Sequence, residues 1–182
     1  MHLWRRTTAH MSIETMTVSY TCATCGKAHD GFPDIGYQWP DPYFDIPDDE
    51  RDVRVQSNTD ICTIDDEHYF IRGVLMIPVH NHDQKFGLGV WVSQSQKNFE
   101  TYIANYDTAD IGPFFGWFSN TLPFYEEDTW ALKTMAHFQG NAQRPLIELE
   151  PSGHPLYKDY SIGITLDRAW EIVHWNEDKD GT

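Results

Sequence analysis

The chain has 182 residues, with 13 Lys plus Arg against 28 Asp plus Glu and a formal net charge of -15. That surplus of acid excludes nucleic-acid binding and adsorption to anionic membranes as main roles, because both draw their affinity from Lys and Arg. A hydrophobic share of 40%, with 14% aromatic residues, excludes a disordered polypeptide and suits one soluble domain around a single core.

No segment approaches the ~20 apolar residues of a membrane span, and no apolar run of a signal peptide follows Arg5 and Arg6. A cytoplasmic location is therefore expected. Residues 1–17 read as a disordered extension, 18–175 as a single domain and 176–182 as a polar tail.

In chain order, the first feature is Cys22-Ala-Thr-Cys25-Gly26-Lys27-Ala28-His29, a short run holding two thiols, a turn glycine and an imidazole. Residues 30–47, rich in Pro, Asp and aromatic side chains, read as an extended segment packed onto the domain, and 48–52 as one helical turn. Segments 53–56, 59–64, 69–78 and 86–93 follow. The third is almost continuously apolar, as in a central strand covered on both faces, and the four predict an antiparallel meander. At 95–107 the period changes to helical, with Ser95 as N-cap and Phe99, Tyr102, Ile103 and Tyr106 on one stripe. Short strands are expected at 116–118, 129–138 and 146–149. A last helix capped by Thr165 places Leu166, Ala169, Trp170, Ile172 and Val173 on one face. The order of strands, helix, strands and helix predicts an α+β fold with a mainly antiparallel sheet, two principal helices and an N-terminal zinc-knuckle-like turn.

Several blocks together resemble a bacterial family known as domain of unknown function 2199. They are the Cys22–His29 run, the acidic Asp60-Ile-Cys62 element, Phe70-Ile-Arg72-Gly73 and Gly89-Val-Trp-Val-Ser93. Further along come the Gly116–Pro123 stretch, the strand from Arg144 to Pro151, and His154-Pro155-Leu156. The resemblance runs from about Cys22 to about Val173. It implies the extent of the domain and assigns no role to any residue.

The thiols point to zinc. In a C-x-x-C-G turn both sulfurs face one point, and Gly26 can take the positive φ such a turn uses. Cys22, Cys25, Cys62 and His29 form the expected ligand set, with His154 as the alternative fourth ligand. The competing view makes the three cysteines small buried hydrophobes. A second constellation is a polar pocket of His137, Arg144 and His154, with Arg72, Glu148 and Glu150 nearby, suited to acid–base work or anion capture. Trp39, Trp91, Trp117 and Trp130 read as core rather than as a groove. His80 and His82 read as turn punctuation. No phosphate loop, nucleophile elbow or zinc-protease helix is present.

Two functions follow. The first is a zinc-stabilised binding or interaction module whose acidic or aromatic face meets a protein partner, a basic one by charge. The alternative is a metal- or histidine-dependent hydrolase with Arg144 holding an anionic group. Whether the chain is an enzyme stays open at this point.

Overall fold

The longest apolar runs become the longest strands. The computed structural model describes residues 18–21, 26–33 and 35–180, with side chains as far as Trp175. Strands β4 (Val55–Ser57), β5 (Ile61–Ile64), β6 (His68–Ile77) and β7 (Phe86–Gln94) form the expected antiparallel meander. Asp65 and Asp66 turn β5 into β6 with φ of 55° and 53°, a left-handed conformation that short polar side chains tolerate. Arg54 forks onto the Asp65 carboxylate and steadies that turn, with nitrogen-to-oxygen distances of 2.7 and 2.6 Å.

The rest of the main sheet is mixed. Strand β10 (Leu146–Leu149) runs parallel to β6 and antiparallel to β9 (Lys133–His137), which pairs with β8 (Phe114–Trp117). A two-residue β3 (Ile35–Gly36) lies parallel to β7. The expectation of a mainly antiparallel sheet thus holds for the meander and for β8–β10, while β3 and β10 join in parallel. A separate hairpin of β1 (Ser19–Thr21) and β2 (Ala28–Asp30) precedes the sheet.

The sheet curls back on itself. Beyond β8, Phe118 bridges Val92 of β7, and the Ser119 amide donates to the Trp91 carbonyl at 2.8 Å. Gly116 permits this approach, because a Cβ there would lie 2.2 Å from the Ser93 carbonyl oxygen.

Among the described residues four α-helices accompany the sheet rather than two principal ones. They are α1 (Arg51–Arg54), α2 (Gln96–Ala104), α3 (Pro155–Ile162) and α4 (Leu166–Asp180). Ser95 caps α2, its Oγ accepting from the Asn98 amide, and Thr165 does the same for α4 through Arg168. Helix α3, absent from the expected elements, begins on His154 and Pro155. Proline suits the first helical position, and the His154 ring supplies the cap, Nδ1 accepting from the Leu156 amide at 3.0 Å. Helix α4 continues through residues 176–180, the stretch expected as a polar tail.

Alternation along the strands divides the sheet into two faces. The inner face carries Ile71, Leu75 and Ile77 of β6, Leu88, Val90 and Val92 of β7, and Ile147 and Leu149 of β10. These pack with Phe99 and Tyr102 of α2, Leu156 of α3 and Ile172 of α4 into the main core. The outer face carries Cys62, Ile64, Phe70 and Trp91, buried beneath Ile46 in a second, smaller cluster.

Candidate functional site

The outer face is covered over only part of its length, and the candidate sites lie along the margin. The cover is the segment from Tyr37 to Arg54, which includes a short 3-10 helix at Asp41–Asp45. Asn120 pins it down. Fully buried, its Oδ1 accepts from the Trp91 amide at 2.8 Å, while Nδ2 donates to the Trp39 carbonyl at 2.9 Å and to Asp41 Oδ1 at 3.2 Å. The Trp91 indole N–H donates to the Tyr37 carbonyl at 3.0 Å. Such satisfied buried polar contacts make one docking position strongly preferred.

At one edge of the cover lies an open cleft of about 390 Å³, lined by Pro42, His68, Phe70, Ser93, Trp117 and Trp130. Trp117 and Trp130 remain 43% and 41% exposed, contrary to the expectation that they enter the core. Trp117 stands outward because β8 alternates. Trp130 is held by its amide, which donates to Asp128 Oδ1, and by Ala131, which turns the chain with φ 58°. Phe115 meets Trp117 edge to face at 5.0 Å. The segments framing the cleft carry Asp41, Asp45, Asp65, Asp66, Glu67 and Asp128.

Past the end of the cover, a second depression of about 720 Å³ crosses β6, β10 and β9 toward α3, lined in part by Met76, Lys85, His137, Leu146, Glu148 and Tyr160. Its polar centre is a pair: the His137 Nε2–H donates to Glu148 Oε2 at 2.5 Å. The pairing of β9 with β10, which sets His137 against Leu146 and Met135 against Glu148, puts both side chains on one face. Burial, and then the Glu148 charge, raises the pKa of the Tyr160 phenol above its ordinary value.

The expected zinc set divides. Cys22 and Cys25 lie outside the described residues. His29 is exposed on β2 opposite Tyr20, their rings stacked at 5.5 Å. The base of that hairpin meets the β6–β7 turn, where the Val18 amide donates to Gln84 Oε1 at 3.1 Å. Cys62 lies opposite Phe70, fully buried among apolar side chains. Seven residues of strand separate Phe70 from Ile77 beside that turn, roughly 23 Å of chain. The structure therefore does not bring Cys62 to His29. Burial also pushes the Cys62 thiol up to about 12, which opposes the thiolate that a metal requires. Among the described residues, no group of three His, Cys, Asp or Glu side chains is placed to hold a metal.

The expected polar pocket also divides. His154 is buried and committed at both ring nitrogens, Nδ1 to the α3 cap and Nε2 to the Glu127 carbonyl at 3.2 Å. Arg144 lies across from Asp60, its Nε donating to Oδ1 at 2.6 Å. Burial alone would raise the Asp60 pKa; the hydrogen bonds from Arg144 and Thr59 outweigh it and hold the carboxyl below its ordinary value. Arg144 and His137 line adjoining depressions that share Met76 and Lys85. Lys85 and Asn120 escaped sequence reasoning. A lysine in a polar turn and a lone asparagine after a serine carry no local signal.

Over residues 21–164 the chain matches the model of a family described as an uncharacterized protein conserved in bacteria, DUF2199. No curated protein and no solved structure gives a significant match.

Proposed function

We propose that this chain, which belongs to that bacterial family, is a binding module that takes a basic, extended segment of a protein partner into the cleft between Trp117 and Trp130. The observation that carries this reading is the pair of indoles left more than two-fifths exposed beside a cleft, in a chain that buries Trp91 completely. Exposed indole faces attract Lys and Arg head groups while the aliphatic stems cover apolar surface. The acidic segments framing the cleft supply the complementary field. Titrating tryptophan fluorescence with a Lys/Arg-rich peptide should give saturable binding that weakens with salt. Trp117→Ala and Trp130→Ala should each weaken it about tenfold, the order expected for an aromatic anchor. A flat titration, or wild-type affinity in both variants, would end this reading.

In the same proposal the N-terminal hairpin holds a structural zinc through Cys22, Cys25 and His29, with Cys62 outside the set. Support comes from the C-x-x-C-G spacing and from its position between two paired strands, where a metal would close the turn. Metal content should be about one zinc per chain in wild type and in Cys62→Ala, and should be lost in Cys22→Ala and His29→Ala. Three side chains leave a fourth tetrahedral position. Extending the series to His80→Ala and His82→Ala tests whether the neighbouring turn fills it.

A second reading, a histidine-dependent hydrolase, is favoured by one observation. Hydrogen-bonded to Glu148, the His137 ring is held in the tautomer whose Nδ1 can accept a proton from water. Hydrolysis of p-nitrophenyl acetate or p-nitrophenyl phosphate that disappears in His137→Ala would support it, and no turnover of either ester would remove it.

A further inference from the structure

Three cations converge on the uncovered outer face of a protein whose net charge is -15. Arg72 of β6, Lys85 of the β6–β7 turn and Arg144 line a pocket of about 220 Å³, in which no carboxylate takes part among the described residues. Its floor is bare backbone. Gly36, Gly87 and Gly89 stand where neighbouring strands would ordinarily present side chains. A Cβ at Gly36 would lie 2.5 Å from Arg72 Nη2, and one at Gly89 would lie 3.5 Å from the same atom, so the guanidinium rests directly on the two glycines.

Arg72 is the anomaly. Its Nε is buried with no hydrogen-bond partner among the described residues, whereas buried donors are almost always satisfied. Burial, and then the repulsion of the neighbouring Arg144 charge, lowers the Arg72 pKa. The nearby carboxylate, Asp60, is already engaged by Arg144 Nε. Among the described residues, two guanidiniums and an ammonium against one carboxylate leave a local surplus of positive charge and a donor without a partner. A fold retains such an arrangement at a cost in stability, which a ligand of opposite charge offsets.

We propose that Arg72, Arg144 and Lys85 form a binding site for a phosphate group, with Gly36 and Gly89 holding the Arg72 guanidinium at the pocket floor. Guanidinium forks match phosphate oxygens, and a lysine adds a point charge. The volume is several times the ~30 Å³ share of a liquid water, so a tetrahedral oxyanion fits. The pocket opens past Met76 and Lys85 into the larger depression of Leu146, His137 and Tyr160, so the phosphate of a small monoester can enter with its organic part on apolar surface. The site shares this groove with the hydrolase reading and does not depend on it. Binding of p-nitrophenyl phosphate without turnover would end that reading and leave the phosphate site standing.

Calorimetric titration and thermal shift with inorganic phosphate, phenyl phosphate and, as a neutral control, phenol test the proposal. Both phosphates should bind and raise Tm, phenyl phosphate more tightly, and phenol should do neither. Phosphate tighter than phenyl phosphate would assign the site to the free ion. Lys85→Gln, at an exposed position, should weaken binding about tenfold, in line with loss of a charge-assisted contact. Gly87→Ala adds a methyl that meets only Met76 Sδ and Val74 Cγ1 at ordinary contact distances, so it should fold normally and bind more weakly. Arg72→Met should abolish binding and leave the unliganded Tm unchanged or higher. An unliganded Tm that falls sharply in Arg72→Met, with phosphate affinity intact in Lys85→Gln and Gly87→Ala, would make Arg72 a structural group and overturn the proposal. So would failure of wild type to respond to 10 mM phosphate.

Discussion

The outer face of the sheet has two ends with opposite fates. At the Phe70 end the segment from Tyr37 to Arg54 lies across it, and Cys62, Ile64, Phe70 and Trp91 are sealed beneath Ile46. At the Met76 end the same face carries Arg72, then Val74 and Met76 paired with Gly89 and Gly87, and it stays open. The strands are continuous through both ends, so the difference comes from what the chain lays over them. Large apolar side chains clustered on neighbouring strands create a surface that must be covered. Glycines opposite Val74 and Met76 create a hollow that solvent or a ligand can enter. The His137–Glu148 depression and the cationic pocket lie at the uncovered end, and the tryptophan cleft lies at the edge of the cover.

Substitution on the two ends should separate them. Trp91→Ala removes a fully buried indole and its hydrogen bond to Tyr37, and should cost about 3–5 kcal/mol in urea denaturation. Met76→Ala, two strand pairs beyond Val74 at the open end, should cost about 1 kcal/mol or less. Similar losses would mean that the open end is packed as tightly as the covered one.

The cover itself can be loosened from beneath. Asn120→Ala leaves the Trp91 amide and the Trp39 carbonyl without their partner, and a loss of about 2 kcal/mol is expected. If the covering segment is held by this residue, protease cleavage within residues 37–54 should accelerate before global unfolding. Unchanged proteolysis would assign the docking to Ile46 and Trp91 instead.

Cys62→Ala tests the covered end more gently. Removing a small buried side chain should cost roughly 1 kcal/mol, and the wild-type thiol should resist disulfide reagents at pH 8, since its pKa is pushed up to about 12. Rapid labelling in the folded state would show that the cover opens readily.

The smallest effect concerns pH. The Asp60 carboxyl is depressed in the fold, so the stability it contributes is fully present above the ordinary carboxylate range near ~4 and is lost as pH falls through its lower folded value. Wild-type Tm should decline over that acidic window, and Asp60→Asn should flatten part of the decline. An identical profile in the variant would mean that the Arg144 pair is screened out by water.

Much of the fold is legible one segment at a time. The alternation from His68 to Gln94 specifies two long strands and the residues on each face, because a strand's periodicity is two. Ser95 and Thr165 announce helix starts because a side-chain oxygen can satisfy an N-terminal amide three residues on. His154 hid helix α3, since an imidazole is an uncommon cap and Pro155 reads equally well as a turn. The candidate sites were less legible. His137 and Glu148 are close only because β9 and β10 pair in one register. Arg144 adjoins that groove, but His154, placed with it from sequence, faces the Glu127 carbonyl instead.

By itself, the sequence determined the α+β class, the antiparallel meander, the caps, the family and the acidic character. These are encoded by neighbours within a few residues or by composition. Tertiary structure alone decided that β10 enters parallel beside β6, that the sheet closes through Val92 and Phe118, and that Trp117 and Trp130 stay outside while Trp91 goes in. It alone separated Cys62 from His29 and drew Arg72, Lys85 and Arg144 together over bare glycines. The reason is that strand pairing joins residues scores of positions apart. No local pattern records which edge is free, or which end of a face another segment will cover.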